Sequence, residues 1–188
     1  MRSHAEYNPE LMQADVWDLA SEELPPGVEE NTVDVVLMVF VFSALSPLQW
    51  KQAVHNIHRV LKPGGEVCFR DYGRGDLAQV RFKKGRYLEE NFYIRGDGTR
   101  VYFFEKDELD RIWRGVFDST ETSFDKAQGR INGTNGAPDS TAHKAGTTKE
   151  NIDLFEIEEL GVDRRMLVNR AKKLKMYRCW IQGRFRKK

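Results

Sequence analysis

The chain has 188 residues, of which 40% are hydrophobic and 31% are charged. This composition is typical of one globular domain with its own core, and it excludes a disordered or fibrous chain. The formal net charge of +1 indicates no particular partner, and the longest apolar run, 33–42, is too short to span a membrane.

Cysteine usage and the N-terminus indicate the compartment. Cys68 and Cys179 each fall within a predicted strand, and free thiols are favoured over a disulfide. The N-terminal residues lack the apolar core of a secretory signal. We therefore predict a cytoplasmic protein, with mitochondria as the alternative. The spacing of the cysteines and histidines predicts no metal site.

Residues 33–72 carry the clearest structural pattern. They open with the apolar run at 33–42, whose β-branched and aromatic residues predict a strand buried inside a sheet. Helical spacing of apolar residues follows at 48–61, and 66–72 predicts a second strand. The sequence therefore predicts a strand–helix–strand unit with a right-handed crossover and parallel strands.

The ends of these strands predict a binding site. In an open α/β sheet, ligands bind beyond the carboxyl ends of the strands. Ser43 follows the first strand, and Asp71 stands at the end of the second. A short stretch at 11–15 predicts the end of a further strand that closes on Asp15. We therefore expect Asp15, Ser43 and Asp71 to face one crevice.

The middle of the chain predicts small elements. Helical spacing predicts a short helix at 77–82 and a longer one at 105–117. Between them, Asp97-Gly98 separates two β-rich runs at 92–95 and 100–104, which is a strong hairpin signal.

The last third of the chain changes character twice. Residues 119–150 are poor in large apolar side chains, so we predict a disordered surface insertion there. Alternating patterns at 154–160 and 176–185 then predict an antiparallel pair at the sheet edge. The whole chain, 1–188, is predicted to form a single partial α/β domain.

Several motifs resemble those of a known family. Leu61-Lys62-Pro63-Gly64-Gly65, between a helix and a strand, resembles the class I S-adenosylmethionine-dependent methyltransferases. Four further segments narrow the resemblance: Phe-Val-Phe-Ser-Ala at 40–44, Phe-Arg-Asp-Tyr-Gly at 69–73, Asn-Phe-Tyr-Ile-Arg-Gly-Asp-Gly-Thr-Arg at 91–100 and Val-Asp-Arg-Arg-Met-Leu-Val-Asn-Arg at 162–170. Together they resemble the tRNA 3-methylcytidine methyltransferases, which act on threonine tRNA and on some serine or arginine tRNAs.

The resemblance implies a fold class and a function. The fold would be an incomplete Rossmann-like methyltransferase sheet, mostly parallel with an antiparallel C-terminal edge pair, flanked by helices. The activity would be methyl transfer from S-adenosylmethionine to N3 of a cytidine in the tRNA anticodon loop. In this family tRNA selection also depends on neighbouring modified bases or on a protein partner.

One departure from the family pattern changes the expectation. Family members carry, ahead of the matching region, a glycine-rich loop that holds the methionine end of the cofactor. No Glu-x-Gly-x-Gly-x-Gly segment precedes Asp15. We therefore expect this chain to be the C-terminal part of such an enzyme. The alternative is a non-catalytic RNA-binding or partner-binding remnant of the fold.

The resemblance also implies site residues. The expected cofactor-binding residues are Asp15, Val16, Phe40, Val41 and Ser43. The expected catalytic residues are Arg70, Asp71 and Tyr72. In this interpretation N3 attacks the sulfonium methyl group, the carboxylate accepts from the exocyclic amine, and the tyrosine stacks on the base. The alternatives are structural: an Arg–Asp ion pair at the strand end, and an aspartate that only caps a turn.

Basic residues predict contact with RNA. Residues 161–188 hold eleven Lys or Arg against one acid, with aromatic residues interleaved. The alternative is a solvated face without a partner. The residues expected to bind RNA are Lys83, Lys84, Arg95, Arg100, Arg164, Arg165, Arg170 and Lys172.

Overall fold

The computed structural model describes residues 3–117, 153–171 and 173–188. The predicted insertion at 119–150 lies outside the described residues. The elements are β1 (Val33–Val39), a 3₁₀ turn (Phe42–Ala44), α1 (Pro47–Val60), β2 (Leu61–Tyr72), α2 (Leu77–Val80), β3 (Tyr87–Glu89), β4 (Phe92–Ile94), β5 (Arg100–Tyr102), α3 (Lys106–Trp113), β6 (Phe155–Asn169) and β7 (Leu174–Lys187).

The main sheet has the strand order β1-β2-β7-β6. The β1–β2 pair is parallel, and the β2–β7 and β7–β6 pairs are antiparallel. The predicted fold class is confirmed: an α/β sheet joins parallel strands through a helix and ends in an antiparallel C-terminal pair. Within the described strands, β1 and β2 form the parallel part. A second sheet, β3-β4-β5, contains the hairpin predicted around Asp97-Gly98.

The position of β1 differs from the prediction. We predicted a strand buried inside the sheet, but β1 lies at an edge of the sheet that the structure describes. Val35, Leu37 and Val39 are 57%, 72% and 45% exposed, whereas Met38 is buried. The alternation arises because the described helices cover only one face of the strand.

The segment 11–15 is not a strand. It forms a turn and loop, in which the backbone N–H of Leu11 donates to the carbonyl oxygen of Asn8. The short apolar stretch has no neighbouring strand in the described sheet, so the predicted strand end at Asp15 is wrong.

The Lys-Pro-Gly-Gly segment makes a tight connection between α1 and the regular part of β2. Gly64 has a φ of +75°, a conformation that favours glycine. A Cβ atom on Gly65 would lie 2.9 Å from the carbonyl oxygen of Lys62 and 3.1 Å from that of Asp34. Gly64 is therefore favoured by its backbone conformation, and Gly65 by the close approach of neighbouring backbone.

The core lies between one face of the main sheet and the helices α1 and α3. Large aromatic side chains fill it, namely Phe42, Trp50, Phe69, Phe104, Trp113, Phe155 and Phe185. The rings of Trp113 and Phe185 are stacked with their centroids 4.5 Å apart. Burying each such side chain contributes about 1.5–3 kcal/mol, so this cluster is the main source of stability.

The C-terminal end of α1 is closed by a buried lysine. The ammonium of Lys187 donates to the carbonyl oxygens of His58 (2.7 Å) and Leu61 (2.8 Å) and to the side chain of Asn31 (2.7 Å). Such a cation stabilises the last carbonyls of a helix. Burial, together with the nearby charges of Lys187 and His55, lowers the pKa of His58 to about 4.

The strands β6 and β7 form a longer hairpin than the sequence predicted. The β2–β7 pairing ends at Trp180, whereas β6 and β7 remain paired beyond it, 164–169 with 174–179. The antiparallel pair is confirmed, and its extension through 161–169 was missed. The parts of β6 and β7 that extend beyond β2 form a projecting two-stranded ribbon.

Candidate functional site

The carboxyl ends of β1 and β2 lie side by side in the main sheet. Val39 at the end of β1 is paired with Arg70 near the end of β2. The backbone N–H of Phe40 donates to the carbonyl oxygen of Arg70 at 2.8 Å. Parallel pairing therefore brings Ser43 and Asp71 to the same place, as the sequence predicted.

Asp71 joins the two strand ends. Its side chain is completely buried, one oxygen accepts from the backbone N–H of Ser43, and the other accepts from that of Tyr72, each at 2.8 Å. Burial raises the pKa of this carboxyl, and the hydrogen bonds from Ser43, Tyr72 and Phe42 oppose that rise. The carboxylate therefore fixes the backbone of both strand ends.

Arg70 and Asp71 do not form the ion pair that we considered. Successive residues of a strand point to opposite faces, so Asp71 faces the helices and Arg70 faces the other side. There the guanidinium of Arg70 donates to Asp163 at 2.8 Å and to Gln182. Its Cζ atom also lies 4.5 Å from the ring centroid of Trp180.

Three aromatic rings gather on this outer face. The ring of Phe40 lies 4.8 Å from that of Tyr72 and 6.4 Å from that of Trp180, measured between centroids. Phe40 is 38% exposed and has a φ of +56°. A bulky residue in this conformation costs about 1–3 kcal/mol and is typical of functional sites. We call Phe40, Tyr72 and Trp180 the aromatic cluster.

Arginines stack on the aromatic cluster. The Cζ atom of Arg95 lies 5.1 Å from the ring centroid of Tyr72, and that of Arg178 lies 5.1 Å from the centroid of Trp180. These distances are within the range of cation–π attraction. The indole Nε1 of Trp180 is buried and has no acceptor among the described residues. The cluster thus combines flat apolar faces with positive charge, which suit a planar polar ligand.

Asp76 is a buried carboxylate that the sequence did not single out. It accepts from the backbone N–H groups of Ala78 and Cys179, each at 2.8 Å, and from Nε of Arg178 at 2.9 Å. It thereby fixes Arg178 beside the aromatic cluster. Asp76 and Arg178 are 102 positions apart in the sequence, so no local pattern indicates the contact.

The predicted cofactor-binding residues are partly assembled. Ser43 is buried beside Asp71, while Phe40 and Val41 are exposed at the strand end, the valine by 47%. Asp15 and Val16 lie in an exposed loop, where the carboxylate accepts from the side chain of Gln13 at 2.5 Å. Asp15 is therefore not at a strand end.

The predicted RNA-binding residues fall into two groups. Lys83 and Lys84 lie in an exposed turn beside the small sheet that also carries Arg95. Arg100 is held against α1, since it donates to the side chain of Gln49 at 3.0 Å. Arg164, Arg165 and Arg170 lie on or next to β6, and Lys172 lies outside the described residues.

Other sequence expectations concern the cysteines, metals and membranes. Cys68 and Cys179 are free thiols, as predicted. Within the described ranges, no group of three or more His, Cys, Asp or Glu side chains could hold a metal ion. None of the described helices is long and apolar enough to cross a membrane.

Comparison with known proteins identifies relatives of the whole chain. A family model described as a methyltransferase domain matches residues 1–65. The tRNA(Thr) (cytosine(32)-N(3))-methyltransferase of Saccharomyces cerevisiae is 46% identical over 187 residues, which are 98% of this chain and 24% of that protein. Over nearly its whole length, the chain is therefore similar in sequence to part of a tRNA N3-cytidine methyltransferase.

Further members of the family match in the same way. The tRNA N(3)-methylcytidine methyltransferase trm140 of Schizosaccharomyces pombe is 44% identical over 181 residues, covering 96% of this chain and 47% of that protein. The human tRNA N(3)-cytidine methyltransferase METTL2B is 39% identical over 185 residues, covering 98% of this chain and 39% of that protein. The chain therefore spans about a quarter to a half of the length of these relatives.

Proposed function

We propose that the protein transfers a methyl group from S-adenosylmethionine to N3 of a cytidine in a tRNA anticodon loop. The observation that carries this proposal is the junction of the two strand ends, where Asp71 binds the backbone of Ser43 beside the exposed ring of Phe40 and the half-buried ring of Tyr72. The names of the relatives supply the reaction, and this junction supplies a place for a planar base beside a donor.

The exposed strand end is suited to part of the cofactor. Phe40 and Val41 are apolar and exposed, although Phe42 and Ser43 beside them are buried. We propose that Phe40 and Val41 pack against S-adenosylmethionine, with Ser43 beneath them and Asp15 and Val16 near the adenine. When bound, this group supplies an electrophilic methyl on its sulfonium.

The chain itself contributes positioning more than acid–base chemistry. N3 of cytosine has a free lone pair at neutral pH, so no strong general base is required. Tyr72 and Phe40 offer aromatic surface on which the base stacks, and the guanidinium groups of Arg95 and Arg178 lie over the Tyr72 ring. Positioning of the nucleophile and removal of water then supply most of the acceleration.

Asp71 and Arg70 are assigned supporting roles in this proposal. Asp71 orients the strand ends and places negative charge beneath a base that becomes cationic on methylation. Asp71 is completely buried, so direct acceptance from the exocyclic amine would require the strand end to open. Arg70 fixes Trp180 beside the base.

The substrate and its surroundings follow from the relatives and from the charges. We propose threonine tRNA as the substrate, with serine or arginine tRNA as alternatives, because the Saccharomyces cerevisiae relative is named for tRNA(Thr). The basic residues around the hairpin and the small sheet would bind its phosphates. We also propose a protein partner for tRNA selection and cytoplasmic residence, the latter supported by the free cysteines.

The test uses the full-length protein, S-adenosylmethionine with a labelled methyl group, and threonine tRNA transcripts. Nucleoside mass spectrometry should detect 3-methylcytidine in the anticodon loop. A transcript with uridine in place of the target cytidine is the control and should remain unlabelled. Tight RNA binding without any methylated nucleoside would instead support the non-catalytic alternative.

A further inference from the structure

A groove lies between the loop that follows β2 and the projecting β6–β7 hairpin. It encloses about 350 Å³ and is lined by side chains that include Arg74, Arg164, Arg165, Met166, Tyr177 and Arg178. A second cavity of about 280 Å³ lies next to it, shares Arg74, Arg164 and Cys179 with it, and is also lined by Glu105, Lys106 and Asp107. We call the first of these the arginine groove.

The charges of the arginine groove are one-sided. Four arginines line it, and no carboxylate does so within the described part of the chain. Three of the four arginines pair with acids outside the lining: Glu105 pairs with Arg74, Asp163 accepts from Nε of Arg165, and Asp76 accepts from Nε of Arg178, each at 2.9 Å. The ion pairs of Arg165 and Arg178 use the inner nitrogen of each guanidinium and leave its terminal nitrogens for a ligand.

Arg164 differs from the other three arginines. It is exposed on β6 opposite Cys179, and its side chain has no ion pair or hydrogen bond among the described residues. Its guanidinium is therefore available to an anion in the groove that Arg74, Arg165 and Arg178 also line. A doubly hydrogen-bonded phosphate matches the geometry of such guanidinium groups.

The arginine groove is continuous with the aromatic cluster through one residue. Arg178 lines the groove, while its Cζ atom lies 5.1 Å from the ring centroid of Trp180 and 6.0 Å from that of Tyr72. A phosphate in the groove would therefore lie about one nucleotide from a base stacked on Tyr72. Tyr177 is 62% exposed beside the groove and offers a face for the neighbouring base.

We propose that the arginine groove binds the backbone phosphate next to the target cytidine of the tRNA. This inference rests on the proposed function, because it takes the base on Tyr72 to be that cytidine. Contacts with phosphate fix register and orientation without reading sequence. The groove would thus hold the strand while the base is extruded into the site.

The experiment uses the full-length protein and an anticodon stem-loop RNA in which single phosphates are replaced, one at a time, by uncharged methylphosphonates. In the wild type, one replacement next to the target cytidine should weaken binding about tenfold, and it should have no further effect on Arg164→Ala. Arg164→Ala should also reduce the magnitude of the slope of log affinity against log salt by about 0.7–0.9. Arg164→Lys should recover part of the affinity.

Arg111→Ala is the matched control, since Arg111 is an exposed arginine on α3 outside the groove. It should leave affinity, salt slope and the methylphosphonate effect unchanged. Equal methylphosphonate effects in the wild type and in Arg164→Ala would overturn the assignment of the groove. If the methylphosphonate and salt effects are as expected but the wild type methylates no cytidine, the proposed function is overturned instead. The two failures are therefore distinguishable.

Discussion

The two faces of the main sheet differ in what they contribute. On the inner face, Val67 and Phe69 of β2 are at most 4% exposed and pack against the helices. On the outer face of the same strand, Arg70 and Tyr72 are half-buried and contact the ring of Trp180, an arginine and Phe40. Alternation along one strand thus separates residues that stabilise the fold from residues that are available to a ligand.

Asp71 is the exception that links the two faces. It lies on the inner face, yet it is charged and binds the backbone of Tyr72 on the outer face. A buried carboxylate persists only when hydrogen bonds compensate for the lost water. The strand end is therefore the place where a change in stability and a change in function are coupled.

The largest effect is expected for Trp113→Ala on the inner face. This side chain is completely buried, and its ring lies 4.5 Å from that of Phe185 and 5.3 Å from that of Phe155. The free energy of unfolding should fall by about 3–5 kcal/mol, measured by urea denaturation. Leu37→Ala on the outer face, 72% exposed, is the control and should change it by less than about 0.5 kcal/mol. Similar losses in both variants would contradict the difference between the faces.

Asp71→Asn should combine a smaller loss of stability with a loss of turnover. The new amide nitrogen would face a backbone N–H of Ser43 or Tyr72, and one buried donor would lose its acceptor. The free energy of unfolding should fall by about 1–3 kcal/mol, and turnover should fall far more than cofactor affinity. Asp110→Asn, at an exposed pair with Arg114, is the control. Equal losses of turnover and cofactor affinity would count against the proposed role.

Tyr72→Ala should weaken RNA binding with little effect on the core. Removing the stacking face should reduce the affinity for an anticodon stem-loop by about 1–3 kcal/mol, measured by fluorescence anisotropy at fixed salt. Tyr72→Phe should retain the affinity because it keeps the ring. Tyr87→Ala, an exposed tyrosine on β3, serves as the control. Unchanged affinity in Tyr72→Ala would remove the aromatic cluster from the RNA-binding surface.

The smallest effect concerns pH and the C-terminal end of α1. The pKa of His58 is lowered from 6.5 to about 4, so the unfolded chain binds more protons between these values. The contribution of His58 is therefore present above pH 6.5 and is lost as the pH falls towards 4. Urea midpoints at pH 7 and pH 5 should differ less in His58→Gln than in the wild type. His4→Gln, which alters an exposed histidine near the N-terminus, should behave like the wild type.

Local patterns in the sequence were sufficient for most of the elements. The 3.6-residue spacing before Leu61 predicted α1, the Asp97-Gly98 turn predicted the β4–β5 hairpin, and alternation predicted β6 and β7. The predicted neighbourhood of Ser43 and Asp71 also holds, because parallel strands of one crossover end at the same edge. These features depend on short stretches of chain and on general rules of sheet topology.

The tertiary structure alone decided the partners of the charged residues. Arg70 faces Asp163 and not Asp71, because β7 places β6 within reach of the outer face. Asp76 binds Arg178, which is 102 positions away in the sequence. This contact holds Arg178 beside the aromatic cluster and in the lining of the arginine groove. Periodicity specifies which face a residue occupies, but the residue opposite it depends on register between distant strands. The amino-acid sequence by itself therefore determined the strands and their ends, and only packing decided which side chains meet there.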